Sequence, residues 1–221
     1  YNELLEYIKR HGNALVPQNY IDNITLGNWT QKQRYNYKTN VLSDDRIQKL
    51  NDVGFVWDVL EAQWLERLEE LKKYKREHGD TLVPRNHPIG SWVWWQRRDY
   101  KIYLEKRKLG DESHNLDSKE VKRIEKLSTG ANEKRIQMLE DVDFIWDPKE
   151  YLWNLKYEEL RECISLNGDG AIRTSKKNNN SLETWATRQR KLYQQCCDGQ
   201  VTSLTKERID KLRAIGFVFE L

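Results

Sequence analysis

The stretch Trp29-Thr30-Gln31-Lys32-Gln33-Arg34, followed by Tyr37, decides the fold of this 221-residue chain. It returns as Trp92-Val93-Trp94-Trp95-Gln96-Arg97 with Tyr100, and again as Trp185-Ala186-Thr187-Arg188-Gln189-Arg190 with Tyr193. In each copy Gln stands four residues after Trp, Arg five and Tyr eight. Three copies at one spacing mark a repeat protein, in which each unit is one supersecondary motif.

Outward from these anchors, each unit reads as three helices and a short extended arm. In the first, Leu4, Leu5, Tyr7 and Ile8 form a helical apolar stripe. His11-Gly12 ends it, because glycine takes the left-handed position after a helix at least cost. Ala14-Leu15-Val16-Pro17 is extended, since the residue before a proline resists helix. Asn28 is the expected cap of the second helix. Ser43 caps the third, with Asp44 and Asp45 in its first turn and Ile47, Leu50 and Val53 as its buried stripe. Gly54 stops it, and Phe55-Val56-Trp57 follows as an apolar tail.

The second unit repeats this at a shift of 67 residues, with Leu71, Tyr74, His78-Gly79 and Val83-Pro84. Its Trp92 helix leads into an insertion over about residues 104–130, rich in Lys, Glu and Asp, where Val121, Ile124 and Leu127 predict one short helix. The third helix resumes after Asn132 with Ile136, Leu139 and Val142, and Asp143 stands where the first unit has Gly54. The third unit diverges. Asn167-Gly168 replaces His-Gly, Ile172-Arg173 replaces Val-Pro, and a polar loop from Ser175 to Ser181 precedes the Trp185 helix. Its last helix runs from Thr205 to Gly216-Phe217-Val218-Phe219. The predicted fold is all-α: three tandem three-helix modules over residues 1–60, 61–150 and 151–221, the second carrying the insertion. Asp58–Gln63 and Pro148–Leu152 are the expected junctions. Trp64 aligns ahead of Tyr1, so the first module is short at its N-terminal side, and a start on Tyr1 suggests a piece of a longer protein.

The composition sets wide limits. Nine Trp, eleven Tyr and four Phe require a core, so the 33% of charged residues does not mean disorder. No apolar run reaches the ~20 residues that span a bilayer, and no membrane partner is expected. Cys163 stands alone and Cys196-Cys197 are adjacent, which suggests neither a disulfide framework nor a metal pair. An intracellular, reducing compartment is expected.

A helix advances about 100° per residue, which puts Trp, Gln and Tyr of each copy on one face. That face is expected to be core. Its Gln amide must find hydrogen-bond partners, and backbone near the His-Gly turn is the expected one. Arg34, Arg97 and Arg190 fall at the edge, where two roles stand open: a local ion pair or carbonyl clamp, and a ligand contact. The opposite face carries Gln31, Lys32, Tyr35 and Lys38; then Trp94, Trp95, Arg98 and Lys101; then Thr187, Arg188, Lys191 and Gln194. None is acidic. Segments 28–38, 91–101 and 184–194 carry +3, +2 and +3, against +3 for the whole chain, so the remainder is negative. Such a concentration of positive charge suits a phosphate-backbone binder as well as a solvated polar face. Seven Trp recur between units; Trp94 and Trp95 do not, and could stack on bases, anchor a protein or pack under the insertion.

These residues resemble the helicase-associated domain family. Its His-Gly turn, Val-Pro step, Leu-Gly-x-Trp helix start with Gln-Arg, and Gly-Phe-x-Trp-Asp tail match His11-Gly12, Val16-Pro17, Leu26-Gly27-x-Trp29 with Gln33-Arg34, and Gly54-Phe55-x-Trp57-Asp58. The second unit keeps most of them, and the third keeps Trp185, Gln189-Arg190 and Gly216-Phe217. The resemblance implies three-helix modules found in tandem, often beside helicase motors, and nucleic-acid binding.

No GxxxxGK[ST] phosphate loop, HExxH, GxSxG or Cys/His ligand cluster occurs, so neither motor nor other enzyme, metal or cofactor is expected. His11 and His78 precede helix-ending glycines and read as helix-end residues. The expected function is DNA or RNA binding through Lys32, Arg34, Lys38, Trp94, Trp95, Arg97, Arg98, Lys101, Arg188, Arg190 and Lys191. The alternatives are a protein-docking module centred on Trp94-Trp95 and a spacer without a ligand.

Overall fold

The computed structural model describes residues 1–112, 130–167 and 180–219. Among them are nine helices and no strand, the all-α fold expected from the repeat. The first repeat holds α1 (Asn2–His11), α2 (Ile24–Lys38) and α3 (Asp44–Asn51). The second holds α4 (Val59–His78), α5 (Gly90–Glu112) and α6 (Glu133–Glu140). The third holds α7 (Pro148–Asn167), α8 (Asn180–Cys197) and α9 (Lys206–Ala214). The chain forms two compact units, Tyr1–Phe144 with the first two repeats and Ile145–Leu221 with the third.

Local chemistry places the ends of these helices. Gly12 and Gly79 close α1 and α4 with φ of 74° and 85°. His78 Nδ1 donates to the Tyr74 carbonyl at 3.0 Å, and the His11 and His78 rings stack on Tyr7 and Tyr74. The Val-Pro arm then crosses the start of the second helix. A Cβ on Gly27 would lie 2.4 Å from the Gln18 carbonyl oxygen, and one on Gly90 2.2 Å from that of Pro84. Only glycine admits so close an approach. The third unit has Glu183 in this place, and it also lacks the Val-Pro pair.

Several sequence expectations need correction. Asn23, not Asn28, caps α2: its side chain accepts from the Leu26 N–H at 2.9 Å, and Asn28 lies inside the helix. Asp58 and Asp147 cap the next helix directly, accepting from Glu61 N–H and from Lys149 and Glu150 N–H. The expected junctions are therefore the first turns of α4 and α7. The Trp92 helix does continue into the insertion, as expected, with α5 running to Glu112. Val121, Ile124 and Leu127 lie outside the described residues, as do Gly168, Ile172-Arg173 and residues 175–179. Asn180 and Ser181 belong to α8.

Each third helix ends in a left-handed turn at Gly54, Asp143 or Gly216. The following N–H, of Phe55, Phe144 or Phe217, donates back to Leu50, Leu139 or Leu212, a Schellman closure that swings each Phe into the core. Asp143 tolerates the left-handed region and pairs with Lys75 at 2.6 Å.

The buried stripe of the second helices differs from the expected Trp-Gln-Tyr face. In α2 it is Leu26, Gly27, Thr30 and Gln33; in α8 it is Leu182, Ala186 and Gln189. Trp29, Trp92 and Trp185 are half-buried at one border of the stripe, and Tyr37 is exposed. The stripe is centred about a quarter-turn away from the Trp, so the Trp and Arg side chains close it from opposite sides. In the second and third repeats the Gln, half-buried at Gln96 and buried at Gln189, bonds to an indole rather than to the His-Gly turn. Trp64 Nε1 donates to Gln96 Oε1 at 2.9 Å and Trp153 Nε1 to Gln189 Oε1 at 3.3 Å. Each Gln amide donates in turn to the carbonyl of its own helix's Trp. Over the outer side of Trp64 lies Arg135, which also bonds Glu61; over Trp153 lies Arg208, which bonds Glu150. First, second and third helices thus meet at one indole.

Two tests follow from this contact. Trp153→Ala should destabilise the protein by about 3–5 kcal/mol in urea unfolding, since a fully packed indole is lost. The hydrogen bond from Arg135, ahead of Lys134 and of the charges of both, holds the Glu61 carboxyl below its ordinary range despite partial burial. That stabilisation is present above the unfolded carboxyl value of about 4.3 and is lost as pH falls through the lower folded value. The unfolding midpoint of Glu61→Gln should lie below that of the parent at neutral pH, and the gap should close in acid.

Candidate nucleic-acid interface

The second helices carry two classes of cation. The first comprises Arg34, Arg97 and Arg190, one residue beyond the Gln of each repeat. Arg34 Nε donates to the Val56 carbonyl at 2.9 Å and Arg190 Nε to that of Val218 at 2.9 Å. Arg97 Nη2 donates to the Thr81 carbonyl at 3.1 Å. Their guanidinium groups lie over Phe55, Phe144 and Phe217, 4.8–5.2 Å from the ring centroids. Burial pulls Arg34 below its ordinary pKa. Arg34 and Arg190 thus clamp a carbonyl of their module's tail and Arg97 a carbonyl of the arm, the carbonyl-clamp role of the two left open by the sequence. A guanidinium can stack on a ring and fork to a carbonyl together, which explains Arg at this place.

The second class faces outward. Of the twelve positions expected there, eleven are exposed, and Arg98 is half-buried against Trp95. Lys32, Lys38, Arg98, Lys101, Arg188 and Lys191 form no ion pair among the described residues. α4 and α7 behave differently, since Arg67–Glu70, Lys72–Glu69, Lys156–Glu159 and Arg161–Glu158 neutralise one another one turn apart. Uncompensated charge therefore sits on the outer faces of α2, α5 and α8.

On α5 that face also holds two indoles. Trp94 is 39% exposed and Trp95 46% exposed, with their rings edge to face at 4.9 Å. Arg98 lies 4.5 Å from the Trp95 centroid, and Arg85 lies 4.8 Å from that of Trp94. Arg85 belongs to the arm after Pro84, so sequence spacing along α5 gives no sign of it. The result is a surface row of guanidinium, indole, indole and guanidinium, in which each arginine lies over one indole ring.

Elsewhere the described residues contain no group of three or more His, Cys, Asp or Glu able to hold a metal ion. None of their helices is long and apolar enough to cross a membrane. The three cysteines are free thiols.

Comparison with known proteins gives one family. The sequence model of the Helicase associated domain matches residues 1–58, 61–147 and 150–220. No curated protein and no solved structure matches the chain.

The two classes of cation should separate in a stability assay. Arg190→Ala leaves the Val218 carbonyl without its donor and should cost about 1–3 kcal/mol in urea unfolding. Arg190→Lys should recover little of it, because an ammonium cannot reproduce the stacked fork. Lys191→Ala, one residue on, should change stability by no more than about 0.5 kcal/mol.

Proposed function

This chain belongs to the helicase associated domain family, and from that premise we propose that it is a non-catalytic array that binds nucleic acid through the outward faces of α2, α5 and α8. The observation that carries the reading is the set of six outward cations without acidic partners, Lys32, Lys38, Arg98, Lys101, Arg188 and Lys191. Cations without an acidic partner on the protein break no ion pair on meeting phosphate, and they release counterions from the polyanion. Phosphate contacts fix position without reading sequence, so little base specificity is expected. The Arg85-Trp94-Trp95-Arg98 row adds stacking, which favours unpaired bases because only they present a free face. The same exposed indole pair favours the second reading, a protein partner anchored there.

Fluorescence anisotropy with labelled mixed-sequence single strands and duplexes tests the proposal. Affinity should fall steeply with salt, and each single Lys→Ala change on the outward faces should lower the slope of log K against log salt by about one. The triple change Lys32→Glu, Arg98→Glu and Lys191→Glu should abolish binding with an unaltered circular dichroism spectrum. Trp94→Ala should weaken single strands more than duplexes. Absence of binding to DNA and RNA at low salt would sink the nucleic-acid reading and leave the protein-docking surface.

A further inference from the structure

Phosphate is common to both forms of nucleic acid, and a surface that meets nothing else favours the duplex, whose charge per length is the higher. The outward positions of α8, Thr187, Arg188, Lys191 and Gln194, offer no ring at all. Those of α2 offer one, Tyr35, which is 66% exposed and has neither a cation nor a second ring against it among the described residues. On α5 the rings are held: Trp94 and Trp95 meet edge to face, and a guanidinium lies over each. A ring already fixed by its neighbours loses less freedom on binding than a free one, so the held pair takes a planar group at the smaller entropic cost.

One of the two guanidinium groups comes from outside the helix. Arg85 belongs to the turn between the Val-Pro arm and α5, and hydrogen bonds close that turn. The His87 N–H donates to the Pro84 carbonyl at 3.1 Å, the Gly90 N–H to the His87 carbonyl at 2.8 Å and the Ile89 N–H to His87 Nδ1 at 3.3 Å. The His87 ring meets Tyr74 of α4 edge to face, 5.1 Å between centroids. A Cβ on Gly90 would lie 2.7 Å from the Arg85 carbonyl oxygen, so the Arg85 backbone rests on the first residue of α5. From that fixed base the side chain runs exposed, without an acidic partner among the described residues, and ends on the Trp94 ring. The first repeat builds the same crossing, with the Gln18 carbonyl against Gly27, but the side chains at the matching places are Gln18 and Gln31.

We propose that the second module is where single-stranded nucleic acid is selected over duplex, and that Arg85 is a positioning residue of that site, holding Trp94 for an unpaired base rather than meeting phosphate itself. This rests on the nucleic-acid reading and adds to it the place where the strand form is chosen. The cations of α2 and α8 hold either form through charge. Arginine suits the positioning role because its planar group stacks on a ring, which an ammonium does not do.

The ratio of duplex to single-strand dissociation constants reads the site directly. It is measured by anisotropy on the full chain with mixed-sequence DNA and RNA at several salt concentrations. The parent should favour single strands by about fivefold or more, the gain from stacking one base. Arg85→Gln should remove most of that preference while the slope of log K against log salt stays at the parent value, and Arg85→Lys should restore little of it. Lys32→Ala and Lys191→Ala should weaken both forms and leave the ratio nearly unchanged. In the converse experiment Gln18→Arg with Gln31→Trp builds the pair on α2, and the preference for single strands should rise above that of the parent. A slope lowered by about one in Arg85→Gln, with the ratio intact, would make Arg85 a phosphate contact and overturn the proposal. A ratio indifferent to both Arg85→Gln and Trp94→Ala would overturn it as well, with the nucleic-acid reading left standing. A parent that binds neither DNA nor RNA at low salt would sink both.

Discussion

An indole N–H received by a glutamine of the second helix is the contact on which the second and third modules depend. Modules of this size bury little surface and are marginal alone, so a single point joining all three helices carries unusual weight. Trp153 comes from the first helix, Gln189 from the second and Arg208 from the third. At Gln189 the indole N–H takes the place of the water that burial removes from the amide carbonyl. The indole could not be buried as well without the arginine that roofs it and the glutamate that fixes that arginine. Removing any member therefore leaves an unmet polar group in addition to a void.

The same economy explains why neighbouring arginines on one helix have different work. Arg97 and Arg98 are adjacent in sequence, and one helical step of about 100° separates them. Arg97 turns inward to the Thr81 carbonyl and the Phe144 ring, and Arg98 turns outward onto an exposed indole. Arg190 and Lys191 divide in the same way. Recurrence of a cation across repeats therefore marks the clamp as readily as it marks a ligand contact, and only the partner atom tells them apart. The outward cations vary between Lys and Arg from module to module, as suits residues whose contact is with charge rather than with a fixed fork.

Much of the fold was legible because its signals are local. Glycine at a left-handed position, an N-capping side chain and an apolar period of 3.6 act within one or two turns, and so Gly12, Asp143 and Thr205 could be placed from sequence. The misplaced features are those where a distant segment sets the geometry. Asn28 stands directly before Trp29, but α2 begins a turn earlier, capped by Asn23, and the arm's Pro17 and Gln18 carbonyls pack against Gly27 inside its first turn. Asp58 and Asp147 looked like the ends of tails, whereas each caps the helix that follows.

The repeat spacing by itself determined three modules of three helices, the identity of the outward face of each second helix, and its lack of acid. Spacing along a helix fixes which side chains share a side, which is sufficient for those statements. It does not fix the direction from which the neighbouring helices approach, and that direction decided the rest. The core stripe lies between Trp29 and Arg34 rather than under Trp29 because the first and third helices pack there. Gln96 and Gln189 bond to indoles some thirty residues away, and Arg85 reaches Trp94 from another segment. Contacts between residues far apart in the chain depend on the packing of whole helices, and only the tertiary structure supplies that packing.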